Sequence, residues 1–233
     1  MLAPLDLIQE TSMDVADAVA KRISVRAFKP DPVPAKTVRA ILESAQRAPS
    51  GGNLQPWRVH AIAGAPLEAL KKAAVEKMAH GGEAPEYDVY PPNLWDPLRT
   101  RRYECGEDLY ATIAIPREDK PARLRQLAKN AEFFGAPVGL FFTLDRKVGP
   151  PQWADVGMFM QTVMLLAVEH GLGTCAQEFW ARLPQTVGGA LNLPEGEMLF
   201  SGMALGVIDN AHPINTLRTR REPFEAFATM QGF

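Results

Sequence analysis

Cysteine is almost missing from this sequence: only Cys105 and Cys175 occur, far apart and in no Cys-x-x-Cys pair. That excludes a disulfide-stapled scaffold and a cysteine-ligated zinc site, and it fits a reducing, cytoplasmic setting. Histidine is scarce as well. His60, His80, His170 and His212 show no metal-ligand spacing, so no metal site is expected. Long hydrophobic runs are also lacking. The longest apolar stretch, residues 156–168, is too short to cross a bilayer and is broken by Gln161 and Thr162. The first residues carry Pro4, Asp6 and Glu10 without a basic start, which is not the pattern of a secretory signal. Nor is one sign of charge in surplus: 25 Lys and Arg face 27 Asp and Glu, for a net charge of -2. This balance offers no broad field to nucleic acid or acidic membranes. Any anion must be held by a local cluster, and the expected partner is a small molecule.

What is present is enough apolar material, 46% of 233 residues, to bury a sizeable core in one domain spanning residues 1–233. A helix is expected from an N-cap at Ser12 to Lys21, followed by extended chain over residues 23–28 and a loop marked by Pro30, Pro32 and Pro34. Val38, Ile41, Leu42 and Ala45 fall at the i, i+3, i+4, i+7 spacing of an amphipathic helix that stops before Pro49. Alternation predicts a strand over residues 57–63, and a helix follows over 66–78. Residues 80–100 lack periodicity and read as an insertion or lid, reaching to about residue 117 with the helix that follows. Further helices are expected over 103–111, 121–134 and 184–191, and strands over 138–144, 173–177 and 199–207. Residues 153–170 are apolar on nearly every side and close on Gly171, which predicts a helix buried all round, the spine of the domain or of a dimer. Residues 208–233 form a C-terminal extension. Helices interleaved with strands around a central sheet make the class α/β or α+β.

In an extended segment alternate side chains share a face, so Arg22, Ser24 and Arg26 point one way while Ile23 and Val25 point inward. Two guanidiniums and a hydroxyl suit a phosphate; the plainer alternative is a solvated edge. Arg218 and Arg220, two apart in the tail, repeat the arrangement, with a solvated basic stretch as their alternative. The loop Pro49-Ser50-Gly51-Gly52-Asn53-Leu54-Gln55-Pro56-Trp57 exposes backbone N–H groups at its paired glycines and offers amide donors and acceptors from Asn53 and Gln55. It can hold a polar heterocycle, or simply connect a helix to a strand. Cys175 reads as a small buried apolar residue rather than a nucleophile.

Arg22-x-Ser24-x-Arg26, then Ala48-Pro49-Ser50-Gly51-Gly52-Asn53-x-Gln55-Pro56-Trp57, then Asn215 before Arg218-x-Arg220, resemble in that order the FMN-dependent nitroreductase family. The resemblance runs over about residues 15–227 and is weakest across 80–117. It implies an α+β, three-layer fold with a central mixed sheet flanked by helices, assembled as an intertwined homodimer with FMN at the subunit interface. By the same resemblance Arg22, Ser24, Arg26, Arg218 and Arg220 bind the ribityl phosphate and pyrimidine edge of FMN. Pro49, Ser50, Gly51 and Asn53 reach the flavin from the partner. The stretch containing Gln177 and Glu178 resembles the one whose backbone N–H approaches the reactive flavin nitrogen, although many relatives have glycine where this chain has Glu178. Asn130 is either a contact to the pyrimidine edge or a helix C-cap.

The implied activity is two-electron, ping-pong reduction of a nitroaromatic acceptor by NADH or NADPH through FMN, with no catalytic side chain required. The insertion resembles that of relatives reducing nitrobenzoates and dinitroanilines. Its Tyr87, Tyr90 and Trp95, with Tyr103, either stack on an aromatic substrate or pack a long loop. Ene reductases and reductive dehalogenases use the same grip, and a flavin-binding protein without turnover is the alternative from another class.

Overall fold

The computed structural model describes residues 13–233. The expected N-cap Ser12 lies outside the described residues; Asp14 caps helix α1 (Val15–Lys21) by accepting the Ala16 N–H at 3.0 Å. Helix α2 (Ala35–Ala45) runs where its apolar spacing placed it, burying Val38, Ile41 and Ala45. Strand β1 (Arg58–Ala63) begins one residue later than expected, and helix α3 (Gly64–Ala79) starts earlier, on Gly64 at a φ of 59°. The insertion is partly helical. Helix α4 (Leu98–Thr112) opens inside the stretch expected to be loop, because the lone Pro97 precedes it rather than interrupting it.

The helix expected over 121–134 is shorter. Helix α5 (Lys120–Ala128) gives way to a 3-10 segment, Lys129–Gly135, in which Phe133 and Phe134 take positive φ values of 52° and 54° and cannot continue a right-handed helix. Strand β2 (Val138–Asp145), helix α6 (Pro150–Glu169), strand β3 (Gly173–Gln177), helix α7 (Pro184–Leu191) and strand β4 (Glu197–Gly206) complete the body.

The strands form one sheet in the order β1-β2-β4-β3, with every neighbouring pair antiparallel. Parallel pairing enters at its edge, through a bridge between Ser24 and Thr174 on the outer side of β3. Side chains alternate across the sheet and feed two cores. Leu140, Phe142 and Met203 pack with α2 and α6, whereas Phe141, Leu199 and Ala204 pack with α3, α7 and the Phe133 segment. Helices therefore cover both faces, giving three layers.

In the second core Trp180 is fully buried, stacked on Phe133 at 4.5 Å and edge-on to Phe141 at 5.3 Å. It fits because position 202 is glycine: a Cβ there would come within 2.3 Å of the indole. This is the structural reason for glycine at position 202. Helix α6 differs from expectation. It buries one stripe, Val156, Phe159, Met160, Val163 and Ala167, but Met158 is 40% exposed and Leu165 only half-buried. Among the described residues its outer face stays partly exposed. No helix among the described residues is long and apolar enough to cross a membrane.

Candidate functional site

Residues 22–28 leave α1 and run extended along β3, where the Val25 N–H donates to the Thr174 carbonyl at 2.9 Å. Val25 is fully buried, while Arg22, Ser24 and Arg26 stay half-buried on the opposite face, as alternation requires. The segment can lie this close because β3 opens on Gly173. A Cβ at that position would meet Val25 and Ile208 at 2.6 Å.

Asn215, buried in the turn after β4, ties this segment to the tail. Its Oδ1 accepts the Arg26 N–H at 2.9 Å, its Nδ2 donates to the carbonyls of Ala27 at 2.8 Å and Asp209 at 2.9 Å, and its own carbonyl accepts from Arg218 Nη1 at 3.1 Å. The backbone of Arg26 and the guanidinium of Arg218, 192 positions apart by number (218 − 26), thus meet at one residue, the first at its side chain and the second at its carbonyl. Among the described residues Arg22, Arg26 and Arg218 have no carboxylate partner; the guanidiniums of Arg26 and Arg218 contact only backbone carbonyls, at 3.1–3.2 Å. Cations arranged this way remain available to an anion.

Arg220 is placed differently. It pairs with Glu104 at 3.4 Å and Asp108 at 2.9 Å on α4, and next to it Arg101 pairs with Glu222 at 2.9 Å. The second tail arginine therefore fastens the tail to the insertion, its charge answered by two carboxylates. Sequence spacing could show that Arg218 and Arg220 share a face but not that acids from α4 would occupy it.

The glycine loop forms a 3-10 turn, Gly51–Asn53, and packs three left-handed residues into a short span, Gly52 at φ 57°, Asn53 at 57° and Gln55 at 48°. Ser50 Oγ accepts the Gln55 N–H at 3.0 Å, and the Gly51 N–H donates to Asp155 Oδ1 on α6 at 3.2 Å. Pro49, Gly51 and Asn53 are exposed, Ser50 half-buried, beside a cleft of about 560 Å³ that Arg47 and Gln55 also line. Among the described residues no hydrogen bond joins this loop to the arginine segment.

Gln177 and Asn130 do meet. Gln177 Nε2 donates to the Asn130 carbonyl at 2.9 Å and to its Oδ1 at 3.1 Å, while Asn130 Nδ2 donates back to the Leu127 carbonyl at 2.8 Å. Asn130 thereby ties the end of α5 to the end of β3. Glu178 keeps an exposed residue surface, yet desolvation of its carboxyl raises its pKa. Cys175 is buried and burial pushes its thiol up, against the opposing charge of Arg26, so it is an inert core residue.

The four aromatics of the insertion do not share one shelf. Tyr87 donates its hydroxyl to the Phe200 carbonyl and packs with Trp153 at 5.4 Å and Phe200 at 6.1 Å. Burial, then the charges of Glu178 and Glu86, push its phenol well above the usual range, so it stays protonated and lies near Glu178. Tyr90 lies under Arg102 at 4.3 Å and Tyr103 under Arg117 at 5.4 Å, whereas Trp95 is 57% exposed. The root of the insertion is pinned. Glu83 accepts the N–H groups of Gln185 at 2.7 Å and Thr186 at 3.1 Å at the start of α7, and Glu86 pairs with Arg146 at 2.9 Å. Asn215, Asp155 and Glu83 are the residues whose parts sequence reasoning missed. For Asp155 a signal existed: it is the one acid in the interior of a largely apolar helical stretch, the other, Glu169, standing at its end.

A family model described as the nitroreductase family matches residues 19–207. The chain belongs to the nitroreductase family. It is 38% identical over 221 residues to a nitrobenzene nitroreductase of Ectopseudomonas oleovorans, covering 94% of this chain and 97% of that one. To a 4-nitrobenzoate reductase of Pseudomonas putida it is 37% identical, covering 94% and 96%. Among solved structures, the FMN- and NADPH-dependent nitroreductase NfnB of Sphigopyxis sp. strain HMH superposes with a TM-score of 0.93 at 45% identity, covering 95% of this chain and all of that one. The nitroreductase fold thus accounts for the three layers described above.

Proposed function

We propose that this nitroreductase-family chain is an FMN-dependent NAD(P)H oxidoreductase that reduces nitroaromatic compounds in two-electron, ping-pong turnover. The observation that carries the reading is the knot at Asn215, which ties the Arg26 backbone to the Arg218 guanidinium, with Arg22 on the same face; among the described residues none of the three has a carboxylate partner. That donor set fits the phosphate of a mononucleotide, to which guanidiniums give charge-assisted, bidentate hydrogen bonds. Arg22, Ser24, Arg26 and Arg218 hold the phosphate and pyrimidine side of FMN, and Arg220 adds to them only by exchanging its carboxylates. Asn130 and Gln177 set the end of β3, from which the Glu178 backbone reaches the flavin ring.

Bound FMN supplies the hydride chemistry, so the protein needs no catalytic acid or base. The side chains hold the ring, exclude water and present an apolar shelf. The relatives' names, nitrobenzene nitroreductase and 4-nitrobenzoate reductase, support a nitroaromatic acceptor. Tyr87 and, more weakly, Tyr90, Trp95 and Tyr103 select it from a lid at about residues 80–117 on the single domain.

The active unit is a homodimer. Val15 at 71%, Val19 at 52% and Met158 at 40% exposure leave an apolar face on α1 and α6 that a second copy buries, and the exposed Pro49–Asn53 loop then completes the partner's site. Two free thiols fit a cytoplasmic setting. Anaerobic addition of NADH or NADPH to the yellow protein tests the activity. Rapid bleaching, with colour restored faster by a nitroaromatic than by oxygen, is expected; colour that persists marks a binding protein without turnover.

A further inference from the structure

Helix α6 contains one buried acid, Asp155, at 5% exposure among Trp153, Val156, Phe159 and Met160. Its two oxygens are treated unequally. Oδ1 accepts the Gly51 N–H at 3.2 Å, whereas Oδ2 is buried and, among the described residues, has no hydrogen-bond partner. A half-satisfied carboxylate in an apolar core is costly to keep, and an apolar residue there would serve packing better. Its single bond reaches across 104 positions to the first amide of the Gly51–Asn53 turn, an N–H that a turn of this kind leaves without a partner of its own.

That turn is strained. Two left-handed residues, Asn53 in the turn and Gln55 just after it, are not glycine, and such backbone persists only where its surroundings over-determine it. Local bonds hold the rest: the Asn53 N–H donates to the Ser50 carbonyl at 3.0 Å, and Ser50 Oγ accepts from Gln55. Asp155 is the one side chain outside the loop with a hydrogen bond to it among the described residues.

We infer that Asp155 is a positioning residue for flavin binding. By capping the Gly51 amide from α6, it fixes the Pro49–Asn53 loop in the shape that completes the FMN site of the partner copy. It touches neither flavin nor substrate. The inference rests on the FMN reading proposed above.

FMN affinity of the intact apoprotein, measured by quenching of flavin fluorescence, tests it through two substitutions on opposite sides of the bond. Asp155→Ala removes the acceptor. Gly51→Pro removes the donor, and proline is compatible with the first position of a turn and with the extended Ser50 before it at φ -149° and ψ 149°. Losing a hydrogen bond to a charged group corresponds to a Kd raised by between about tenfold and a hundredfold. The double variant should be no weaker than the weaker single one, because both delete the same bond.

Asp155→Asn, which keeps an acceptor without the charge, should fall between wild type and Asp155→Ala. If Asp155→Ala does not fold, the comparison of Asp155→Asn with Gly51→Pro and their double variant carries the same cycle. Wild-type affinity in Asp155→Ala, or effects of the two substitutions that multiply independently, would overturn the inference alone. Wild-type protein that takes up no FMN would overturn the FMN reading and this inference together.

Discussion

Two arginines two residues apart in the tail have opposite surroundings. Arg218 contacts only carbonyls, whereas Arg220 sits between Glu104 and Asp108. Free cations give an incoming phosphate their full attraction, while a cation already neutralised must first exchange partners. Arg218→Ala and Arg22→Ala should therefore raise the Kd for FMN by about tenfold or more each. Arg220→Ala should raise it less, and by an amount that shrinks as salt screens its exposed ion pairs; isothermal titration at two ionic strengths reads both effects.

Glu178 gives a second test at the same scale. Burial raises its carboxyl pKa in the folded protein, so between its ordinary value near 4.5 and that raised value the folded state binds more protons than the unfolded one. Its contribution is therefore favourable at low pH and is lost as pH rises through this window. Glu178→Gln should remove that loss, leaving the variant with a higher thermal midpoint than wild type at neutral pH and no difference below the window. A variant that melts lower at neutral pH would show that the charged carboxylate stabilises the fold.

Among the elements, glycines in the sheet act as sockets. Gly202 faces the Trp180 indole, which joins Phe133 and Phe141 in the second core. Gly202→Ala overpacks this contact and should cost about 1–3 kcal/mol in denaturant unfolding, with the Trp180 fluorescence changed. An unaltered midpoint would mean that the core relaxes around the methyl group.

Elements of this kind were legible in the sequence in proportion to their periodicity. Helix α2 has regular apolar spacing and strand β2 is one continuous apolar run, and the structure has a helix and a strand at those places. The break after α5 was not legible. Phe133 and Phe134 look like helix interior, but both take left-handed backbone, with Phe133 stacked on Trp180. The start of α4 was hidden by prolines that lie before it. Of the site, Arg22, Ser24 and Arg26 could be placed on one face by alternation alone. The role of Asn215 could not, because it depends on a turn after β4 returning to the first extended segment.

For the whole molecule, apolar side chains of two helices stay exposed among the described residues. Helix α6 shows Met158 outward, α1 shows Val15 and Val19, and the Pro49–Asn53 loop stands exposed without a bond to the arginine knot of its own chain. The near-continuous apolar sequence over residues 153–170 buries one stripe of α6 and leaves Met158 exposed. Each face has a use if two copies pair, since burial of the helices and completion of two flavin sites then become a single event.

Size-exclusion chromatography with light scattering, recorded together with flavin absorbance, tests this account most directly. It predicts one yellow species with the mass of a dimer and one FMN per chain, the colour leaving with the dimer peak. Colourless protein that takes up no FMN, or flavin carried by a species with the mass of a single chain, would contradict it.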